Sequence, residues 1–438
     1  MSQASPIRRP TRPAAAPPHR LRILMVLESE FPPRRGGGSE YQVRTLGEAL
    51  HQRGHRVSVL TPRLIDGAQA SVERYRGLAV ARLAYPHLRV LGGLVMMARM
   101  ALFLRRHARH YDVAHVHIAH HLAAVCCLVA PVLGLRTLVK VAGVWELRDG
   151  LLRSPGNPLT RALRPLWRRA DGWQAVSSRI AGHLAGLGIA RERIHAIPNA
   201  VDLTHFSAQR EPRAAGTPRT LLYVGRLAPE KDLPTLLRAW ARVFAGRTDR
   251  RLWLVGSGVQ QEALERLAGE LGCTASITFL GHRDDVADVL AQADAGVLPS
   301  LVEGLSNTLL EFMACGLPVL ASRVSGSEDL IEPGVTGWLH APGDLDGLAT
   351  ALRAMDGASD AQLATLGHNA RSVVARCASR EQVIDRLLAA YTGSVDGDPA
   401  TPPPAPAEPG APAPSAPLPP AAPPRDPAGV ARHPTGAR

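Results

Sequence analysis

Two glutamates, Glu303 and Glu311, stand eight residues apart inside residues 295–337, AGVLPSLVEGLSNTLLEFMACGLPVLASRVSGSEDLIEPGVTG. At 1.5 Å per helical residue their backbones lie roughly 12 Å apart. Carboxylates that share acid–base work at a glycosidic bond sit about 5–9.5 Å apart. The pair therefore fits two contacts at opposite ends of one extended ligand. Between them, the backbone amides of Gly304, Leu305, Ser306 and Asn307 point out of a helix start, where anionic or hydroxyl-rich groups are favoured. The plainer alternative is that Glu303 caps the helix and Glu311 is a solvated helix residue.

A second group is cationic. Of 51 basic residues only Lys140 and Lys231 are lysine. Lys231 follows Gly225 and Arg226 in G-R-L-A-P-E-K, on a loop between a predicted strand and a predicted helix. Arginine offers a planar fork and lysine a point charge, and both suit phosphate. Gly36, Gly37 and Gly38 precede another helix start, and glycines there let a ligand approach the backbone closely. Gly256 and Gly258 form a weaker signal of the same kind. Lys140 ends an apolar strand; its alternative is a surface charge at a strand end. His117, His120 and His121 are possible ligands or acid–base groups. No cysteine or acidic residue is spaced with them, so no zinc site is expected.

The elements that carry these residues alternate between strand and helix. Residues 22–27 read as a buried strand, 40–53 as a helix and 56–60 as a strand, which is a βαβ beginning. Strands follow at 113–117, 137–141, 173–176 and 194–197, with helices at 120–133 and 177–187. A second series gives strands at 220–224, 251–255, 277–280, 295–298 and 318–321. Its helices are 233–244, one ending near 271, 284–291 and 305–315. Asp344 and Asp346 follow Pro342-Gly343 and read as a helix start rather than a metal motif. Glu303 and both loop cations thus fall in loops at carboxyl ends of strands, where open α/β sheets bind ligands, and Glu311 lies on the helix that follows.

The run S-x-x-E-G-x-S-x-x-x-L-E-x-M-A-x-G-x-P-V-x-A-S resembles the signature of the family 4 retaining nucleotide-sugar glycosyltransferases. G-R-L-x-x-E-K, D-V-A-H-V-H and I-P-N-A-V-D resemble further motifs of that family, with Ala200 where relatives carry Gly. The resemblance covers about residues 21–392 and is densest over 220–340. It implies a GT-B fold: two Rossmann-like parallel-sheet domains facing each other across a cleft. An N-terminal acceptor domain would span 21–202, a linker 203–218 and a nucleotide-sugar donor domain 219–378. A helix at 379–392 would cross back to the first domain, between disordered tails at 1–20 and 393–438. The resemblance assigns Arg226 and Lys231 to the leaving diphosphate, Glu303 to the donor sugar and Glu311 to the ribose. Gly36–Gly38, Gly225, Gly256, Gly258 and the amides of 304–307 would complete the donor site. Many relatives place a histidine near Ala142; here Lys140, in a K-x-A-G form, is the candidate to take part of its task. His117, Trp145, Glu146 and Asp149 are acceptor-side candidates. The implied partners are a UDP- or GDP-linked sugar and a glycan or lipid-linked acceptor, without metal or other cofactor. A nucleotide-sugar epimerase or hydrolase on the same fold, or a non-catalytic binding protein, is the rival reading.

The whole chain agrees with a sizeable two-domain protein: 438 residues, 45% of them apolar. Residues 1–210 carry 31 Lys and Arg against 12 Asp and Glu, a charge of +19; the remainder carries −6. The basic half points to an anionic membrane surface as a partner. Nucleic acid is disfavoured, because no recognisable motif and no aromatics accompany the arginines. Five cysteines without zinc or disulfide spacing read as core thiols of a reducing compartment. No apolar run is long enough to span a bilayer. The expected location is cytoplasmic, with peripheral contact at the inner face of the membrane.

Overall fold

The computed structural model describes residues 20–393, apart from 33–36, 64–69, 87, 89–90, 144–145, 147–151, 153–164 and 208–215. Nearly all of the segments expected to be tails, half of the expected linker, and Gly36, Trp145 and Asp149 lie outside the described residues.

Two sheets organise the described chain. The first has the order β3-β4-β2-β1-β5-β6-β7-β8. Its strands are β1 (Arg22–Val26), β2 (Arg56–Pro62), β3 (Val72–Tyr75), β4 (Leu78–Leu83), β5 (Val113–Val116), β6 (Arg136–Val141), β7 (Gly172–Ala175) and β8 (Ile194–Ala196). All pairs are parallel except β3 with β4. The second sheet is wholly parallel, with the order β11-β10-β9-β12-β13-β14. It contains β9 (Arg219–Val224), β10 (Arg250–Val255), β11 (Ile277–Gly281), β12 (Ala295–Leu298), β13 (Val319–Ser322) and β14 (Gly337–His340).

Strand alternation sorts the core. On β1, Ile23 and Met25 join one apolar cluster, while Leu24 and Val26 join another on the opposite face. The helix Gly38–Gln52 covers the first of these faces together with Arg380–Thr392. That last helix thus packs on the first sheet although it follows the second in sequence. Backbone bonds Val201 N to Ala378 O and Arg380 N to Val201 O, 2.9 and 3.0 Å, fix the crossing point. Buried His115 bonds Tyr391 Oη through Nδ1 at 2.7 Å and Gln174 Oε1 through Nε2 at 3.0 Å. On β9, Leu221 and Tyr223 face the helices Leu233–Phe244 and Leu345–Gly357, and Leu222 faces the other way.

Three features differ from the reading of the sequence. The β3–β4 hairpin was not anticipated, because β3 is half exposed and lacks an apolar run. The helix Leu91–His107, which buries Met96, Met100 and Leu104, had no place in the predicted alternation. The helix Asp360–Cys377 also escaped notice; a capping box on Ser359 and Gln362 starts it. Asp344 does cap the helix after it, accepting from the Gly347 amide at 2.9 Å.

Candidate functional site

In the second sheet the chain reverses direction of winding between β9 and β12, which leaves a crevice at their carboxyl ends. The loop after β9 carries Gly225, Arg226 and Lys231; the loop after β12 carries Glu303 and Gly304. Glycine is needed where the β9 and β10 loops meet. A Cβ on Gly256, whose φ is +131°, would lie 1.9 Å from the Gly225 carbonyl oxygen, and one on Gly258 would lie 2.3 Å from that of Leu227. Gly256 and Gly258 therefore shape the loop that bears Arg226. Tyr223 Oη donates to the Arg226 carbonyl at 2.8 Å and fixes the loop from beneath.

The charged groups of these loops sit together. Lys231 Nζ is ion-paired with Glu303 Oε1, which also accepts from Ser300 Oγ at 2.8 Å. Arg226 pairs with Glu230 Oε1 at 2.7 Å and its side chain is 67% exposed. Glu303 does not cap a helix: the helix Asn307–Ala314 begins four residues later, and Ser306 Oγ accepts from the Leu309 amide. Glu311 lies on that helix. Burial alone raises its carboxyl to about 7, and no described residue pairs with it.

The first half of the chain forms the facing wall. Gly304 touches it so closely that a Cβ would fall 1.9 Å from the Ala142 carbonyl oxygen. Gly37 precedes the helix Gly38–Gln52 without a side-chain cap. Asn307 Nδ2 donates to the Gly38 carbonyl at 3.0 Å, so two helix N-termini converge here. Asn307 Oδ1 accepts from Gln42 Nε2 at 3.2 Å and from Asn199 Nδ2 at 2.9 Å. Asn199 Oδ1 in turn accepts from Lys140 Nζ at 2.7 Å, and Gln42 bonds both backbone groups of Ala200 at 2.8 Å. Lys140 is 1% exposed, so the surface-charge reading fails. Burial lowers its ammonium to about 7, opposed by nearby Glu146.

Glu146 is buried and accepts from three backbone amides, Ala119 at 2.7 Å and Ala142 and Gly143 at 2.8 Å. Burial raises its carboxyl to about 7 against those bonds. It braces the ends of β5 and β6, so its observed contacts are with backbone. His117, at the end of β5, is fully buried, and neither ring nitrogen has a hydrogen-bond partner. Burial first, then His115 and Lys140, holds its imidazole neutral by pushing its pKa well below the ordinary value. The argument that no acid accompanies the histidines needs correction. Glu28, 92 residues before His120, accepts or shares a proton with His120 Nδ1 at 2.9 Å. Fold contact, not sequence spacing, joins them.

Two residues of the facing wall were not singled out in the sequence. Gln42 is detectable only as a polar residue on the buried face of an amphipathic helix, beside Val43 and Leu46. Asn199 lies in I-P-N-A-V-D, where its link to Asn307 is invisible.

Residues 36–205 match the family described as Glycosyltransferase Family 4, and residues 218–355 match Glycosyl transferases group 1. A D-inositol 3-phosphate glycosyltransferase of Geodermatophilus obscurus is 30% identical over 423 residues, covering 88% of this chain and 92% of the relative. The chain belongs to glycosyltransferase family 4, the retaining enzymes of GT-B fold. A glycogen synthase of Mycobacterium tuberculosis is 31% identical to this glycosyltransferase, covering 76% of the chain and 86% of the relative. The fold matches that of Anabaena Alr3699/HepE in complex with UDP, with TM-score 0.68 and 20% identity over 85% of this chain and 100% of that one. Among the described residues, no helix of the glycosyltransferase is long and apolar enough to cross a membrane.

Proposed function

We propose that this glycosyltransferase moves a sugar from a nucleotide-diphosphate sugar to an acceptor hydroxyl with retention of configuration. The reading rests chiefly on one arrangement: Arg226, Lys231 and Glu303 gathered at the β9/β12 crevice, against the wall built by Gly38, Ala142 and Asn307. A likeness to Anabaena Alr3699/HepE in complex with UDP-glucose supports the donor class.

In the proposed reaction the bond from the anomeric carbon to the diphosphate oxygen breaks, and a bond to the acceptor oxygen forms on the same face. Negative charge grows on the leaving phosphate. Arg226 and Lys231 stabilise it, with help from the amides at the two converging helix N-termini. Lys231 exchanges Glu303 for phosphate, which frees Glu303 to accept from donor-sugar hydroxyls. Glu311 accepts from the ribose. The leaving phosphate oxygen takes the proton of the acceptor hydroxyl, so no side-chain nucleophile is required. Lys140 and Asn199 hold the facing wall in place, and His117 lies on the acceptor side. A lipid-linked or cell-envelope glycan is the acceptor class that the basic first half favours. One relative, a GDP-mannose-dependent phosphatidylinositol monomannoside mannosyltransferase of Mycolicibacterium smegmatis, 28% identical, has a name that fits that class.

Arg226→Ala is the direct test, because that side chain is exposed and its loss leaves the core intact. Removing one such preorganised donor commonly costs about 3–4 kcal/mol, or two to three orders of magnitude in kcat. Turnover of the variant should fall by that much with an unchanged circular dichroism spectrum. Near-wild-type transfer would overturn the diphosphate assignment. Product analysis with and without acceptor separates transfer from hydrolysis or epimerisation.

A further inference from the structure

The first sheet has a switch point of its own. Its order places β1 beside β5, with β2 on one flank and β6 on the other, so the loops after β1 and β5 diverge and leave an opening. Glu28 stands just beyond β1. His120 and His121 stand at the start of the helix His121–Val129, after β5. Glu28 Oε2 lies 2.9 Å from His120 Nδ1 and 3.9 Å from His121 Nδ1. One ligand atom from each residue lies within 4.8 Å of the others. The two imidazoles meet nearly edge to face, with centroids 3.9 Å apart and planes at 69°.

These separations are close to those of a coordination sphere. Metal–ligand bonds of about 2.0–2.2 Å at tetrahedral angles put the ligand atoms about 3.4 Å from one another. Modest side-chain rotation closes the difference. The carboxylate is already oriented from behind, because Glu28 Oε1 accepts from the Leu122 amide. Such outer contacts tune and hold ligands in built metal sites. The side chains are graded in exposure: 10% for Glu28, 32% for His120 and 43% for His121. An ion there would be held on one side and open on the other. Two imidazoles and one carboxylate suit a borderline transition ion better than Mg²⁺ or Ca²⁺, which prefer all-oxygen sets.

We propose that Glu28, His120 and His121 form a three-ligand site for a divalent transition cation of the Zn²⁺ or Co²⁺ class, with its remaining positions open to water. The site lies at the first sheet's own switch point, one residue along from the Ala119 amide that Glu146 holds, and does not depend on the transfer reaction proposed above. In the absence of metal the same residues make an ion pair and brace the start of the helix.

The test uses the full chain, free of any affinity tag, stripped with a chelator and dialysed. Titration with CoCl₂ should give visible d–d absorption that saturates at one ion per chain, and ZnCl₂ should displace it. His121→Ala and Glu28→Gln should each weaken Co²⁺ binding at least about tenfold. Both should keep the circular dichroism spectrum of the parent, since His121 is half exposed and glutamine retains an acceptor for the Leu122 amide. His282→Ala serves as the control; that exposed histidine lies 3.4 Å from Asp284 and outside the site. No saturable binding at one equivalent, equal affinity in the His121 and Glu28 variants, or loss only in the His282 variant would each overturn the assignment.

Discussion

Glu311, proposed above as a ribose contact, weighs on stability through its burial alone. Burial raises its carboxyl from the ordinary 4.5 to about 7. Between those values the folded chain holds a proton that the unfolded chain has released, so this contribution is full below pH 4.5 and is lost as pH rises through about 7. Glu146 acts with the same sign. Lys140, lowered from 10.5 to about 7, acts with the opposite one, favouring the fold as pH rises from about 7 towards 10.5. The informative quantity is therefore the difference between a variant and its parent. Glu311→Gln mimics the protonated acid at every pH. Its unfolding free energy should match the parent near pH 4.5 and exceed it at pH 8, while its affinity for donor falls. Denaturant titrations at the two pH values check this; a difference that does not grow with pH would refute the burial argument. The E-x7-E spacing and the lone loop lysine were legible from the chain alone. Lys140 was legible as unusual, but not as buried.

At the scale of elements, the loop after β12 meets the end of β6 in a close backbone junction between the two sheets. Gly304 leaves no room for a side chain there, because its neighbour is the Ala142 backbone, which cannot swing aside. Gly304→Ala should force the walls of the crevice apart. We expect a loss of at least about tenfold in kcat/KM and about 1–3 kcal/mol of stability, the usual cost of overpacking. Gly269→Ala, in the helix Gln261–Glu270 with open space around it, should be neutral or add about 0.4–1 kcal/mol. Steady-state kinetics and thermal unfolding of the two variants make the comparison. Equal behaviour of both would show that the junction does not matter. Strand-and-helix alternation was readable for most elements, and Leu233–Phe244 and Ala295–Leu298 have the expected bounds. The elements missed carried no recognised motif.

For the whole molecule, the two sheets and their crevice make stability a readout of donor recognition. A ligand that binds only the folded chain adds about 2.7 kcal/mol when present at 100 times its Kd. A panel of UDP- and GDP-sugars screened by thermal unfolding should therefore pick out the donor as a clear upward shift. The shift should shrink in the Arg226→Ala variant. If no nucleotide sugar or nucleoside diphosphate raises the unfolding temperature, the donor reading fails for the molecule as a whole.

Local order was written into the chain: alternation along strands, glycines at turns, and the motif residues gathered into short loops. These signals act over a few residues and need no knowledge of what packs where. The pairing of Glu28 with His120 spans 92 residues, and that of Gln42 with Asn307 spans 265. Neither leaves a trace in spacing or periodicity. They exist because parallel sheets bring the ends of distant strands to one edge, and because the second sheet closes against the first through Gly304. Contacts of that kind belong to how the layers stack, and the stacking alone reveals that Lys140 braces a wall and that three polar residues meet at the first sheet's opening.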